Sequence, residues 1–145
     1  MTPDPYLDTS ALAKWYLSEP RSEDFEVWVQ RHAAAMISRL TVVELRCLLA
    51  RRRRAREITA AMESMVFSIF ERDIRNGHLV VYPLADGHVA GASDIMVRLK
   101  THPLRTLDAL HLAIAQAAGV SVIATADRVL AEAAKALGFE VARFD

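Results

Sequence analysis

The sequence holds one cysteine, Cys47, so no intramolecular disulfide can form. Its place inside the apolar run 42–50 predicts a small packed hydrophobe, in a reducing, cytoplasmic setting. No apolar stretch approaches the ~18 residues that suggest a membrane span, so no membrane association is expected. The opening Met1-Thr2-Pro3-Asp4-Pro5 lacks the basic stretch and apolar run of a secretory signal. Net charge is absent as well: 18 acidic residues balance 18 basic ones, and the whole-molecule field gives no argument for nucleic-acid binding. There is no internal repeat and no low-complexity linker, and neither Cys-x-x-Cys nor paired-histidine spacing marks a zinc site.

What is present is core material and patterned charge. At 145 residues with 52% hydrophobic and 25% charged content, the chain predicts a single domain over 1–145 that folds without help from a metal. Arg51, Arg52, Arg53, Arg54 and Arg56 concentrate positive charge in one place. One reading of that run is a set of solvated cations at a helix C-terminus; the other is contact with RNA phosphates or an acidic partner.

Apolar periodicity orders the elements. Tyr6-Leu7-Asp8 closes a short strand, and Leu12, Ala13, Tyr16 and Leu17 give a helix over 10–17. Ser22 opens a helix ending near His32, 34–38 reads as a second strand, and Thr41 opens a helix that ends among the arginines. A helix over 59–75 stops at Asn76-Gly77, and these two helices are expected to form a hairpin. A strand at 78–82 and a helix at 86–100 follow. After His102-Pro103 breaks the chain, Thr106 starts a helix that stops at Gly119; then come a strand at 120–124, a helix at 127–137 and a strand at 139–143. Strands separated by helices need crossover connections, so the expected class is α/β: a central, mainly parallel sheet with helices on both faces.

Four acids stand at helix starts, where each has a structural reason to be. Asp8 and Asp127 can cap free N–H groups, Thr41 and Glu44 match a capping box, and Asp108 sits in the first turn after Thr106. Position in the fold adds a second reason. Asp8 and Asp127 directly follow strands, and in an open parallel sheet those strand ends share the edge where ligands bind. Glu44 follows the second strand in the same sense, and Asp108 begins the helix leading to the strand before Asp127. Four converging carboxylates repel one another, and a divalent cation resolves that conflict. An all-oxygen donor set favours Mg²⁺, with Mn²⁺ as the alternative, over Zn²⁺, and points to phosphate-ester chemistry. Thr9, Ser10 and Thr125 are candidates either to support these carboxylates or to cap locally. His111 reads as a partly buried structural histidine rather than a general base.

At these residues the chain resembles the PIN domain family, in particular VapC-type toxins of toxin–antitoxin modules, over nearly its whole length. Tyr6-Leu7-Asp8-Thr9-Ser10-Ala11-Leu12 is similar to the family's first acidic motif and Thr41-Val42-Val43-Glu44-Leu45 to the second. The third is matched by the stretch from Leu104-Arg105-Thr106-Leu107-Asp108 to Ala113, and the fourth by Thr125-Ala126-Asp127 with Leu130 and Ala134. Many relatives carry an aromatic residue where this chain has Leu130, a departure that touches packing rather than chemistry. The resemblance implies a PIN-like fold and a Mg²⁺-dependent endoribonuclease, with Asp8, Glu44, Asp108 and Asp127 as metal-site acids and Thr9 and Thr125 as supporting hydroxyls. It also implies a homodimer restrained by an antitoxin protein.

Two rival readings stand beside this one. A phosphatase using Asp8 as its nucleophile would resemble Asp-x-Asp, and position 10 is serine. A catalytically silent PIN-fold binding module could have lost one of the four acids, and all four are present. The stripes Val42, Leu45, Leu48, Leu49 and Met62, Met65, Ile69, Phe70 serve either ordinary helix packing or a groove for an antitoxin helix.

Overall fold

The computed structural model describes residues 3–145. Met1 and Thr2, which open the stretch read above for a secretory signal, lie outside the described residues. Five short strands, β1 (Tyr6–Leu7), β2 (Ala35–Ser38), β3 (Leu79–Tyr82), β4 (Val122–Thr125) and β5 (Glu140–Arg143), form one sheet in the order β3-β2-β1-β4-β5. Every pairing is parallel, with Tyr6 opposite both Met36 and Ile123. The helices between them are α1 (Thr9–Tyr16), α2 (Ser22–Val29), α3 (Arg39–Arg54), α4 (Ala60–Arg75), α5 (Asp86–Arg98), α6 (Thr106–Ala117) and α7 (Arg128–Ala136). This is the expected parallel α/β architecture.

Strand alternation divides the core into two layers. Leu7, Ile37 and Ala124 point into a cluster with Leu12, Phe25, Leu45, Leu49 and Phe70, supplied by α1 to α4. Their neighbours Tyr6 and Ile123 point the other way, toward Ile95, Leu112, Ile114 and Leu130 of α5 to α7. Each fully buried Leu, Ile or Phe stabilises the fold by about 1.5–3 kcal/mol relative to exposure. Helices therefore cover both faces because both faces of these strands are apolar.

The strand order fixes where a ligand can bind. From β1 the chain builds outward through β2 and β3 on one side, and β4 and β5 lie on the other, so the order reverses between β1 and β4. The crevice outside the carboxyl ends of the strands at such a reversal is the usual ligand position in open α/β sheets. Asp8 follows β1 directly, and Asp127 lies two residues beyond β4.

Local chemistry sets the helix ends. Asp8, Thr59 and Asp127 cap α1, α4 and α7 by accepting backbone N–H bonds. Gly119 (φ 72°) and Gly138 (φ 92°) follow α6 and α7 in the left-handed region that their stops require. Two expectations are corrected. The capping box of α3 joins Ser38 to Thr41, not Thr41 to Glu44, because the helix starts at Arg39. Cys47 is exposed, not packed: α3 buries its 41, 45 and 49 stripe and turns position 47 away from it. The α3–α4 hairpin is held by Leu45, Leu49 and Phe70 and by the Arg46 guanidinium, 3.3 Å from the Phe67 ring centroid; Met62 and Met65 remain exposed. No helix among the described residues is long and apolar enough to cross a membrane.

Candidate functional site

A cavity of ≈ 480 Å³ opens at the strand-order reversal, and Asp8, Glu44, Asp108 and Asp127 all line it. Lys14, Arg51, Arg52 and Arg105 line it too, so a group of carboxylates is edged by cations. The structure thus brings the four sequence-nominated acids to one cleft. Of the supporting hydroxyls, Thr9 and Ser10 line the cleft, and Thr125 is buried beneath it.

Asp8 is the most deeply held of the acids. Its Oδ1 accepts the Ala11 N–H at 2.9 Å, and its Oδ2 accepts the Thr125 hydroxyl at 2.5 Å. The Ser10 hydroxyl lies 2.8 and 2.9 Å from the two oxygens. The same hydroxyls receive backbone donors from the far strand: Ala126 N–H reaches Ser10 at 2.8 Å, and Asp127 N–H reaches Thr125 at 2.9 Å. Ser10 and Thr125 therefore tie the start of α1 to the end of β4 through Asp8. Burial pushes the Asp8 carboxyl above its ordinary value, against the His111 charge and the Thr125, Ala11 and Ser10 hydrogen bonds that favour ionisation.

Glu44 is positioned from two other elements. Thr9 donates to its Oε1 at 2.8 Å, and His111 Nε2 lies 2.5 Å from the same oxygen. His111 is buried, and its Nδ1 lies 2.7 Å from the Tyr6 hydroxyl, which also reaches Ser38 at 3.1 Å. Burial works to raise the Glu44 pKa, but the His111 hydrogen bond and charge, the Thr9 hydroxyl and the Arg105 charge together hold it below the usual glutamate value. Burial also pushes the Tyr6 phenol up, so it stays protonated. His111 thus has a specific partner that its place on an apolar helix face did not disclose.

Asp108 and Asp127 share a cation. Asp108 Oδ2 accepts the Arg105 backbone N–H at 3.1 Å and its Nε at 3.4 Å. Asp127 gives Oδ1 to the N–H groups of Val129 and Leu130 at 2.8 and 3.1 Å, while its Oδ2 takes Arg105 Nη2 at 3.0 Å. Glu44 Oε2 and Asp108 Oδ1 accept no hydrogen bond among the described residues.

The arginine run divides. Arg51 lines the cleft and has no carboxylate partner among the described residues, whereas Arg52 lines it while bonded to Glu19 and, at 3.3 Å, to Glu57. Arg53 turns away to Glu63 at 3.0 Å, and Arg54 is exposed outside the cleft lining. Sequence reasoning assigned Cys47 to packing and Leu48 to packing or a partner groove, and did not place them in the cleft, which they line with Glu44 and Arg51. Positions 44, 47, 48 and 51 form one helical stripe, and that spacing was the available signal.

The donor set consists of hard oxygens, which suit Mg²⁺ or Mn²⁺. Among the described residues no three His, Cys, Asp or Glu side chains are arranged to hold a metal ion by themselves. The residues fit a divalent cation through the hard carboxylate oxygens that line the cleft.

The model of the PIN domain family matches residues 6–136. No curated protein matches the chain. Among solved structures, Mycobacterium tuberculosis VapC20, described as a Sarcin-Ricin loop cleaving toxin, superposes with a TM-score of 0.70 at 19% identity, covering 94% of this chain and 96% of that one. FitAcB from Neisseria gonorrhoeae gives 0.71 at 22% identity over 97% and 96%, and DNA-bound VapBC from Salmonella typhimurium gives 0.67 at 19% over 99% and 100%.

Proposed function

Because this chain belongs to the PIN domain family, we propose that it is a divalent-cation-dependent endoribonuclease and the toxin of a toxin–antitoxin pair. The observation that carries this reading is the convergence of Asp8, Glu44, Asp108 and Asp127 on one cation-edged cleft. These four acids are assigned to hold the ion, Mg²⁺ first and Mn²⁺ as the alternative, through the oxygens they turn to the cleft. Bound there, the ion would supply an activated water and stabilise the leaving oxygen of a phosphodiester.

The chain's own residues do the positioning. Ser10 and Thr125 orient Asp8, Thr9 and His111 orient Glu44, and the helix-start N–H groups orient Asp108 and Asp127. Arg51, which has no carboxylate partner among the described residues, offers the RNA backbone positive charge at the cleft, whereas Lys14 is paired with Glu19 at 3.4 Å. Nothing in this arrangement requires a protein nucleophile. An RNA-cutting enzyme in the cytoplasm needs restraint, and the solved structures that this chain resembles include a DNA-bound VapBC. We assign that role here to an antitoxin protein docking on α3 and α4, and we expect the toxin to form a homodimer.

The test is cleavage of RNA by the purified chain free of any partner. Wild type is expected to cut in Mg²⁺ and stop in EDTA, and Asp8→Asn and Asp108→Asn should be folded and inactive. Expression of wild type alone should slow growth, the Asp8→Asn form should not, and a co-encoded small partner should restore growth. A folded wild type that cuts no RNA in Mg²⁺ would favour the catalytically silent binding module.

A further inference from the structure

The cleft contains a cation whose role the four acids do not account for. Arg105, the residue before α6, lays one guanidinium across carboxylates of two different motifs, with Nε 3.4 Å from Asp108 Oδ2 and Nη2 3.0 Å from Asp127 Oδ2. Helix capping does not need this contact. The capping bond to Asp108 is made by the Arg105 backbone N–H, which any non-proline residue supplies. The side chain is 77% exposed, so these ion pairs hold it in place and no packed pocket does. Exposed pairs of this kind are weak and exchangeable.

A divalent cation binding to Asp127 would meet the guanidinium on the same Oδ2, and one binding to Asp108 through its open Oδ1 would meet it across the same carboxylate. Two cations cannot share these carboxylates without repulsion, so one displaces the other. A displaced Arg105 stays at the rim of the cleft, and its planar set of donors matches a phosphate better than any remaining carboxylate there.

We propose that Arg105 is a two-position residue of the reaction: it neutralises Asp108 and Asp127 while no divalent cation is present, and when one binds it is released to hold a substrate phosphate. The inference rests on the reading of these carboxylates as the metal-binding acids. It makes Arg105 both the competitor that sets metal affinity and a substrate-binding group.

The test measures the two positions separately. Mn²⁺ binding is read on the purified chain by the electron paramagnetic resonance signal of free Mn²⁺, and the KM for a single-stranded RNA oligonucleotide is read in saturating Mg²⁺ across a salt series. Arg105→Gln removes the competitor, so Mn²⁺ should bind about fivefold tighter. The same variant loses one phosphate contact, so KM should rise and its log–log salt slope should shrink by about 0.7. Arg105→Lys separates the roles: an ammonium cannot span both carboxylates, so Mn²⁺ should tighten while the salt slope is kept. Mn²⁺ affinity in Arg105→Gln no tighter than in wild type would overturn the competition, and an unchanged salt slope would overturn the phosphate contact. If neither wild type nor variant binds Mn²⁺, the metal reading of the carboxylates falls and takes this inference with it. Equal binding by both overturns only the competitor role of Arg105 and leaves the metal reading standing.

Discussion

His111 offers the sharpest perturbation of the site because its two ring nitrogens make separate bonds. Nε2 lies 2.5 Å from Glu44 Oε1 and Nδ1 lies 2.7 Å from the Tyr6 hydroxyl. Glu44 is held below its ordinary value, so it is ionised near neutral pH and can only accept. Nε2 must then carry hydrogen whether the ring is neutral or charged, which makes His111 a donor that positions Glu44 and not a base. His111→Ala removes both bonds. A bond to a charged acceptor contributes about 1.5–3 kcal/mol, at the lower end here because the Glu44 side chain is 23% exposed and water can replace the donor. The Tyr6 bond adds about 1 kcal/mol, so a loss of about 2.5 kcal/mol is expected, before any cavity cost. His111→Gln puts an amide N–H near the position of Nε2 and should lose only about 1 kcal/mol while keeping Glu44 in place. Urea unfolding in EDTA, with m unchanged, reads these values. Mn²⁺ affinity should fall in the alanine variant and recover in the glutamine variant. Equal destabilisation by the two variants, with equal Mn²⁺ affinity, would refute the positioning argument.

Two further outcomes follow from the same geometry. Burial raises the Asp8 carboxyl pKa in the metal-free fold, so its contribution to stability is fully present below the unfolded aspartate value of about 4 and is lost as pH rises through the folded value. Thermal unfolding in EDTA should therefore show Asp8→Asn gaining on wild type from pH 4 to pH 7, and a constant difference across that range would count against the burial argument. Arg51→Ala should reduce the salt slope of RNA association measured by fluorescence anisotropy by about 0.7, whereas Arg53→Ala, whose side chain is engaged by Glu63, should leave it unchanged. Equal slopes for the two variants would return the run to a solvated role.

The parallel sheet and the shared edge of Asp8 and Asp127 were legible because strand and helix periods alternate cleanly and each acid lies within two residues of the end of an apolar strand. The structural alternative for Glu44, a capping box with Thr41, is the part that failed. Ser38 reads as the end of a strand, and its use as the cap of α3 depends on where that strand stops, which periodicity does not resolve. Starting the helix at Arg39 leaves Glu44 clear of the cap and free to meet Thr9 and His111. Cys47 misled because a run of apolar neighbours was read without its helical phase. Arg105 could not be found from spacing alone: its link to Asp108 is a local i, i+3 pair, but its link to Asp127 spans 22 positions and exists only once α6 and the end of β4 meet.

The carboxylates also show why structural and functional readings of a helix-start acid need not compete. Asp127 commits Oδ1 to the N–H groups of α7 and turns Oδ2 to the cleft, and Asp108 commits Oδ2 to the Arg105 N–H and leaves Oδ1 without a partner among the described residues. Capping fixes the side chain's rotamer with one oxygen, and the fixed rotamer aims the other. The helix dipole favours the same negative charge that a cation requires. A fold that begins its helices at one sheet edge thereby gathers oriented carboxylates there without dedicated scaffolding. The choice of amide variants follows from this: asparagine caps a helix about as well as aspartate, whereas alanine costs about 1 kcal/mol. Aspartate-to-asparagine substitutions at this edge preserve the cap and remove the charge, so a loss of activity in them speaks to the cation and not to the helix.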